Sequence, residues 1–462
     1  MRPIYCWILL ALLASVPAFA DQQQPAAPFV LGYANKLSCV PGEEVSFHLS
    51  SSGISVRMVV ERQGGTNETV FEKTTSPVPR IRFPIASSHG CNWPAAFAMT
   101  IPNDWKSGCY VATLILKHDD KETRSTLQFV VRSAEPGENT KILLQLSTNT
   151  WNAYTNWGGH SLYAYHDRDG LQGHRVSFDR PLQSQYSNWE LPFARWAETN
   201  GYVIDYAVNS DLEFHPEILK QYRLVLSVGH DEYWSAPMRD NLEKYIADGG
   251  NVAFFSGNTC CWQVRSEDNG RSLTCWKQWY NVDPLYRKGD QKLLSTIWSH
   301  HLVERPENQL TGVDFCGAVT IAAMDNSWTA RRHSSCIARI IGSSKARISN
   351  ATTVLAAHDT IVGYECDGCE MTWQDGLPSP THSDGTPVSF EILGSCPAQW
   401  APDDCLWYDR FPKDRIGAAV LGIYTQGGTV VTVGTTDWAH GLRGNDPAVA
   451  KITRNVLDRL SK

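Results

Sequence analysis

Residues 223–265 constrain the fold of this chain more than any other stretch: RLVLSVGHDEYWSAPMRDNLEKYIADGGNVAFFSGNTCCWQVR. Arg223 to Val228 is a leucine and β-branched run of the kind that fills a parallel strand buried on both faces. Gly229 is expected to end it, and His230, Asp231 and Glu232 follow at once. Three ionisable groups directly behind a buried strand are costly unless the fold uses them. A helix comes next. Ser235 caps it, Pro237 suits its first turn, and Met238, Leu242, Tyr245 and Ile246 form one apolar face. Gly249 and Gly250 stop it. A second strand, Asn251 to Phe255, then runs into Ser256, Gly257 and Asn258. Two neighbouring strands of one parallel sheet thus deliver polar groups to the same edge, the edge where open α/β sheets bind ligands. The plainer alternative is a βαβ unit with a solvated polar turn.

The same alternation extends from Lys141 to the C-terminus. KILLQLS, YVIDYAV, RLVLSVG, NVAFFSG, GAAVLGIYT and GTVVTVG read as strands, and ELPFARWAETNG, HPEILKQY and DPAVAKITRNVLDRL as helices. This predicts an α/β domain over 141–462 with a mostly parallel sheet. An irregular insertion rich in Trp, Cys and Gly, with strands of its own, is expected at about 260–400. Residues 21–135 read differently: about seven short alternating runs, separated by Pro and Gly, predict an immunoglobulin-like β-sandwich. SAEPGENT, near 133–140, is the expected linker.

Residues 1–20 have the pattern of an export signal: Arg2, an apolar stretch, then Ala18-Phe19-Ala20. No later apolar run is long enough to span a bilayer. A secreted or periplasmic location is therefore expected. Thirteen cysteines, less Cys6 in the leader, leave twelve, and an even count in an exported chain favours disulfides. Cys366-x-x-Cys369 has no second CxxC to complete a zinc site, so a structural disulfide is expected there. Asn67-Glu68-Thr69 and Asn350-Ala351-Thr352 fit glycosylation acceptors. A net charge of −7 without any basic stripe argues against nucleic-acid binding.

Several segments carry a resemblance to a known family. They are TNTWNAYTNWGGHSLY (148–163), GYVIDYAVNSDLEFHPEIL (201–219), GHDEYWSAPMRDNLEKYI (229–246), GGNVAFFSGNTCCWQVR (249–265), RPENQLTGVDF (305–315), GYECDG (363–368) and GTTDWAHGL (434–442). Together they resemble the C-terminal catalytic region of the N,N-dimethylformamidase large (beta) subunit family. SGCYVATL (107–114) is a fainter match. The resemblance implies a flavodoxin-like sheet related to class I glutamine amidotransferases. It also implies a mononuclear ferric ion (Fe3+) held by two tyrosines and one glutamate. On the matching positions Glu232 is the expected glutamate ligand, and Tyr154 and Tyr110 are the expected tyrosines. His230 is the expected acid or base, Asn258 the adjoining asparagine, and Glu365 the one acidic residue that GYEC offers.

Hard phenolate and carboxylate oxygens suit a ferric ion, which could polarise an amide carbonyl and acidify a bound water. The elbow that holds a cysteine nucleophile in glutamine amidotransferases falls at SGNT, with Cys260 and Cys261 beyond it, so thiol catalysis is not expected. The leading expectation is an exported metal-dependent hydrolase of a small amide. Two alternatives stand beside it. One is a carbohydrate-binding protein without chemistry, using exposed Trp and Tyr in 148–165 and 184–196. The other is a sugar-modifying enzyme on the same fold. The partner is then a small amide or a glycan, with self-association left open and a small-subunit partner doubtful.

Overall fold

The computed structural model describes residues 28–77, 85–164, 171–315, 361–374, 377–399 and 416–462. The leader, Cys316, Cys336, Cys405 and the Asn350 tripeptide lie outside the described residues.

The second half of the chain is built on one seven-stranded sheet. Its strands are β1 (Ile142–Leu146), β2 (Asp205–Val208), β3 (Leu224–His230), β4 (Asn251–Gly257), β5 (Glu391–Gln399), β6 (Ile416–Gln426) and β7 (Gly428–Thr432). They lie in the order β2-β1-β3-β4-β7-β6-β5. The five from β2 to β7 pair in parallel, and β6 and β5 add on antiparallel. The parallel strands therefore read 2-1-3-4-5 in chain order. The chain leaves β1 to one side and returns to β3 on the other, and a crevice opens between diverging connections at such a reversal.

The main helices are α1 (Thr148–Tyr154), α2 (Glu190–Thr199), α3 (Ala236–Ala247) and α4 (Pro447–Leu460). Two apolar cores show which face each helix covers. Phe193 of α2 and Leu457 of α4 pack with Leu144, Leu226 and Phe255. Met238, Leu242 and Ile246 of α3 pack with Leu143, Val225 and Phe254 on the other side. The caps match their residue types: Ser235 Oγ accepts from the Met238 N–H, and Asp446 accepts from those of Ala448 and Val449. One detail differs from expectation. Gly229 does not end β3; the strand continues to His230, which pairs with Gly257. Gly229 has a φ of +81°, and an added Cβ would come within 2.3 Å of the Trp189 side chain. Only glycine lets the backbone turn there and lets Trp189 lie against it.

In the first half, Val30–Ala34, Glu44–Ser51 and Phe97–Thr100 form a three-stranded sheet. Ser38–Cys39, Lys121–Val131, Gly108–His118, Val56–Gln63 and Asn67–Thr75 form a five-stranded one. The two share a core that includes Phe47, Val60, Leu114 and Phe129. This unit is fastened to the sheet domain through Glu198, whose carboxylate accepts from Arg62, the Gly65 N–H and Tyr206. The stretch at about 260–400 contributes strands. Trp262–Glu267, Ser272–Thr274 and Arg175–Ser177 form a ladder with Tyr233–Ser235, and β5 joins the main sheet. Among the described residues no helix is long and apolar enough to cross a membrane.

The disulfide expectation needs correction. Cys39, Cys91, Cys109, Cys260, Cys275 and Cys366 are all buried free thiols, so no Cys366–Cys369 bond forms. These thiols behave as small packing groups. Cys275 Sγ, for example, lies 3.6 Å from the Ser295 carbonyl, and burial pushes its pKa up to about 12.

Candidate functional site at the ends of β3 and β4

The turn after β3 is held from beneath. Asp231 is fully buried, and its carboxylate accepts from Ser227, Asn209 and Gln145 at 2.8, 3.0 and 3.1 Å. Burial raises its pKa, and those three donors oppose the rise. With Asp231 pointing down into the sheet, alternation sends His230 and Glu232 toward the crevice.

His230 Nε2 lies 2.6 Å from Glu365 Oε2 and 3.2 Å from Glu232 Oε2. The rings of Tyr154, Trp189 and Tyr364 stand edge-on around its imidazole, with centroids at 5.5, 5.6 and 5.8 Å. Burial alone would lower its pKa, but Glu365 and then Glu232 overcome that and raise it to about 10. At neutral pH His230 is an imidazolium. Among the described residues its Nδ1 has no hydrogen-bond partner.

Glu232 is tethered at every polar atom. Its N–H donates to Thr150 Oγ1, and its carbonyl accepts from the Trp262 N–H. Oε1 accepts from Trp262 Nε1 at 2.7 Å and from the Tyr163 hydroxyl at 2.9 Å; Oε2 lies 3.0 Å from the same hydroxyl. Tyr233 donates in turn to Tyr163 at 2.6 Å. Burial works to raise the Glu232 pKa, but His230, Lys277 and Tyr163 bring it below the ordinary value.

Tyr154, at the end of α1, packs on Tyr163 with ring centroids 4.3 Å apart. Burial and the nearby Glu232 and Glu365 carboxylates push its phenol well above the usual range. Lys277 is buried. Its Nζ sits 3.3 Å from the Tyr163 ring centroid and 4.5 Å from that of Trp262. Burial lowers its pKa to about 8 against the pull of Glu232.

The turn after β4 forms the opposite wall. Asn258 has a φ of +49°, a strained value for a non-glycine residue. The Asp367 carboxylate holds it there, accepting from the Asn258 and Thr259 N–H groups at 2.8 and 3.2 Å. Burial raises Asp367 to about 7, against these two donors. Asn258 Nδ2 donates to Glu365 Oε2 at 2.9 Å, and its Oδ1 has no partner among the described residues. Glu365 is fixed by a pair of backbone contacts with Thr436.

The structure thus brings together five of the six expected residues: His230, Glu232, Tyr154, Asn258 and Glu365. Tyr110 is the exception and is corrected here. It lies in the core of the first unit between Trp105 and Phe129, and its hydroxyl donates to the Lys106 carbonyl at 2.7 Å. Tyr163 stands at Glu232 in its place. It closes the same TNTWNAYTNWGGHSLY segment that contains Tyr154, so a signal for it existed. Asp367 was equally within reach, two residues after Glu365. Trp262 lies in the family-like segment 249–265 and reaches Glu232 by pairing with Tyr233–Ser235, whereas Lys277 had no signal and is brought in by a turn with φ +51°. Of the aromatics in the stretches expected to stack on sugars, Trp151, Tyr186 and Trp189 are buried, and Tyr154, Trp157, Tyr163 and Trp196 are half-buried.

Among the described residues no three His, Cys, Asp or Glu side chains are arranged to hold a metal ion. A cation at this site would need the phenols. Tyr154, Tyr163 and Glu232 supply two phenol oxygens and a carboxylate, a donor set suited to a hard trivalent ion.

Residues 54–451 match the family described as N,N-dimethylformamidase beta subunit-like, C-terminal. The match begins inside the first unit, earlier than the sequence motifs alone indicated. Two curated relatives are N,N-dimethylformamidase beta subunits, from Alcaligenes sp and Paracoccus aminophilus. Each is 28% identical over 38% of this chain. The alignment spans only 28% of either relative's length. Among solved structures, a sialyltransferase from Photobacterium damsela is similar at 10% identity and a TM-score of 0.12, covering 48% of this chain and 36% of its own; so slight a likeness carries no argument.

Proposed function

Because the chain belongs to the N,N-dimethylformamidase beta subunit-like C-terminal family, we propose that it hydrolyses the C–N bond of a small linear amide at the β3–β4 edge. The observation that carries this reading is the convergence of Tyr154, Tyr163 and Glu232 beside His230, Asn258 and Glu365. The proposal includes a mononuclear ferric ion held by Tyr154, Tyr163 and Glu232. When bound, such an ion supplies Lewis acidity toward an amide carbonyl and toward water.

The remaining work falls to the protein. Glu365 is the base that removes a proton from the attacking water. His230, already an imidazolium, donates its proton to the departing amine nitrogen. Their 2.6 Å contact lets the proton gained by Glu365 restore His230, so the cycle returns to its starting charge. Asn258 Nδ2 fixes Glu365, and its Oδ1, without a partner among the described residues, can accept from the attacking water. Trp189, Tyr364 and Tyr154 shield this exchange from bulk water.

We extend the reading to architecture and location. The 2-1-3-4-5 strand order supports a flavodoxin-like assignment, and the two packed sheets of the first unit an immunoglobulin-like one. The leader pattern supports export. The test is metal analysis with activity. Protein from iron-replete cells is expected to hold about one iron per chain, show a visible phenolate-to-iron band and release dimethylamine from dimethylformamide or a close analogue. Colourless, iron-free protein that cleaves no amide overturns the reading.

A further inference from the structure

Trp262 touches Glu232 twice, and the second contact selects between the two carboxylate oxygens. Trp262 opens its strand, and parallel pairing places it opposite Tyr233. Its N–H donates to the Glu232 carbonyl at 2.9 Å, and its indole Nε1–H donates to Oε1 at 2.7 Å. The ring is 5% exposed and has Lys277 Nζ against it at 4.5 Å, so the indole has little freedom to turn away. Glu232 Oε2 is held by longer contacts: His230 Nε2 lies at 3.2 Å and the shared Tyr163 hydroxyl at 3.0 Å.

A carboxylate with both oxygens equally accessible can bind a cation through either or through both. Loading one oxygen with a short, charge-assisted hydrogen bond removes that choice. We propose that Trp262 is a positioning residue: it reserves Oε1 of Glu232 and leaves Oε2 as the oxygen offered to the site. This rests on the metal reading above and deepens it. A cation held at this site would then meet the carboxylate through Oε2, and the Trp262 contact would fix how the carboxylate faces Tyr163. Thr150 complements the clamp by fixing the Glu232 N–H from the opposite side.

The test is Trp262→Phe in the full chain. This variant keeps the backbone contact and most of the aromatic bulk but removes the N–H. It is expected to keep its iron, to show a displaced phenolate-to-iron band, and to lose roughly tenfold in kcat with KM within about twofold. Trp262→His, which retains an N–H donor, is expected to recover part of the band position. An unchanged band and kcat in Trp262→Phe overturn the proposal. So does equal loss in both variants with a lowered melting temperature, which marks a packing role alone. A second readout separates this from failure of the metal reading. With 15N-indole labelling, the Trp262 resonance is expected to shift in Glu232→Gln even in iron-free protein, and no shift overturns the clamp whatever the metal content.

Discussion

A half-buried cluster of charge at the junction of the two halves and a buried one at the β3–β4 edge are built on opposite principles. At the junction between the two halves, one carboxylate meets one guanidinium. Glu198 Oε1 accepts from Arg62 Nη2 and from Tyr206, both at 2.8 Å, and Oε2 accepts from Arg62 Nη1 at 3.1 Å and the Gly65 N–H at 2.8 Å. Burial opposes ionisation, but these donors outweigh it and lower the Glu198 pKa. At the β3–β4 edge, two carboxylates share a single imidazole nitrogen. The Asp231 and Asp367 carboxyls lie behind them, and His230 Nδ1 and Asn258 Oδ1 have no partner among the described residues. The junction answers each lone pair with a donor, as a stabilising contact must. The edge concentrates charge and leaves bonding capacity over, the mark of a place where a ligand completes the set.

If that contrast holds, substitutions in the two clusters separate activity from stability. Glu232→Gln is expected to remove iron and to lower amide hydrolysis by roughly 1000-fold, the loss of several kcal/mol of transition-state stabilisation. Its melting temperature should stay near that of the parent. Iron retained at parental stoichiometry would break the assignment. Glu198→Ala is expected to do the reverse. It leaves the half-buried Arg62 without its partner and is expected to cost about 2 kcal/mol in denaturant unfolding, with kcat per folded molecule unchanged. A large kcat loss in correctly folded Glu198→Ala would erase the distinction.

The pH dependence sharpens the comparison next. Glu190 is buried at the start of α2, and burial raises its pKa to about 7 from 4.5. The folded state then holds this proton more tightly than the unfolded chain does. The stabilisation is complete below about pH 4.5 and is lost as pH rises through 7. Over that window Glu190→Gln is expected to flatten the fall in stability by on the order of 3 kcal/mol, read from unfolding curves at several pH values. The His230 contribution has the same sign but a higher window: present below 6.5, lost as pH rises through about 10. The smallest effect belongs to Tyr110→Phe, which removes one hydroxyl-to-carbonyl bond and is expected to cost about 1 kcal/mol. Its visible band should match the parent, whereas Tyr163→Phe should shift or abolish it. A band change in Tyr110→Phe would restore Tyr110 to the site.

Much of the architecture was legible because strand and helix periodicities are local. The runs at 142–146, 224–230 and 251–257, and the helices at 236–247 and 447–460, needed only burial patterns and caps to be seen. His230, Glu232 and Asn258 were legible for a related reason. A polar cluster directly behind a buried strand has few places to go. The second tyrosine was not. Tyr110 and Tyr163 both occur in family-like segments, and choosing between them needs the path of the loop after α1. Likewise, cysteine parity says nothing about distance, and the thiols are spread over several cores, with Cys39 in one, Cys260 in a second and Cys275 in a third.

By itself, then, the order of residues determined which segments become strands and helices and which chain ends carry charge, because those depend on neighbours a few positions apart. Only the three-dimensional fold decided that Tyr163, Trp262 and Lys277 stand at Glu232, and that Asp367 braces Asn258. These contacts join residues from 30 to more than 100 positions apart, and such partners are selected by sheet register and by the packing of whole elements.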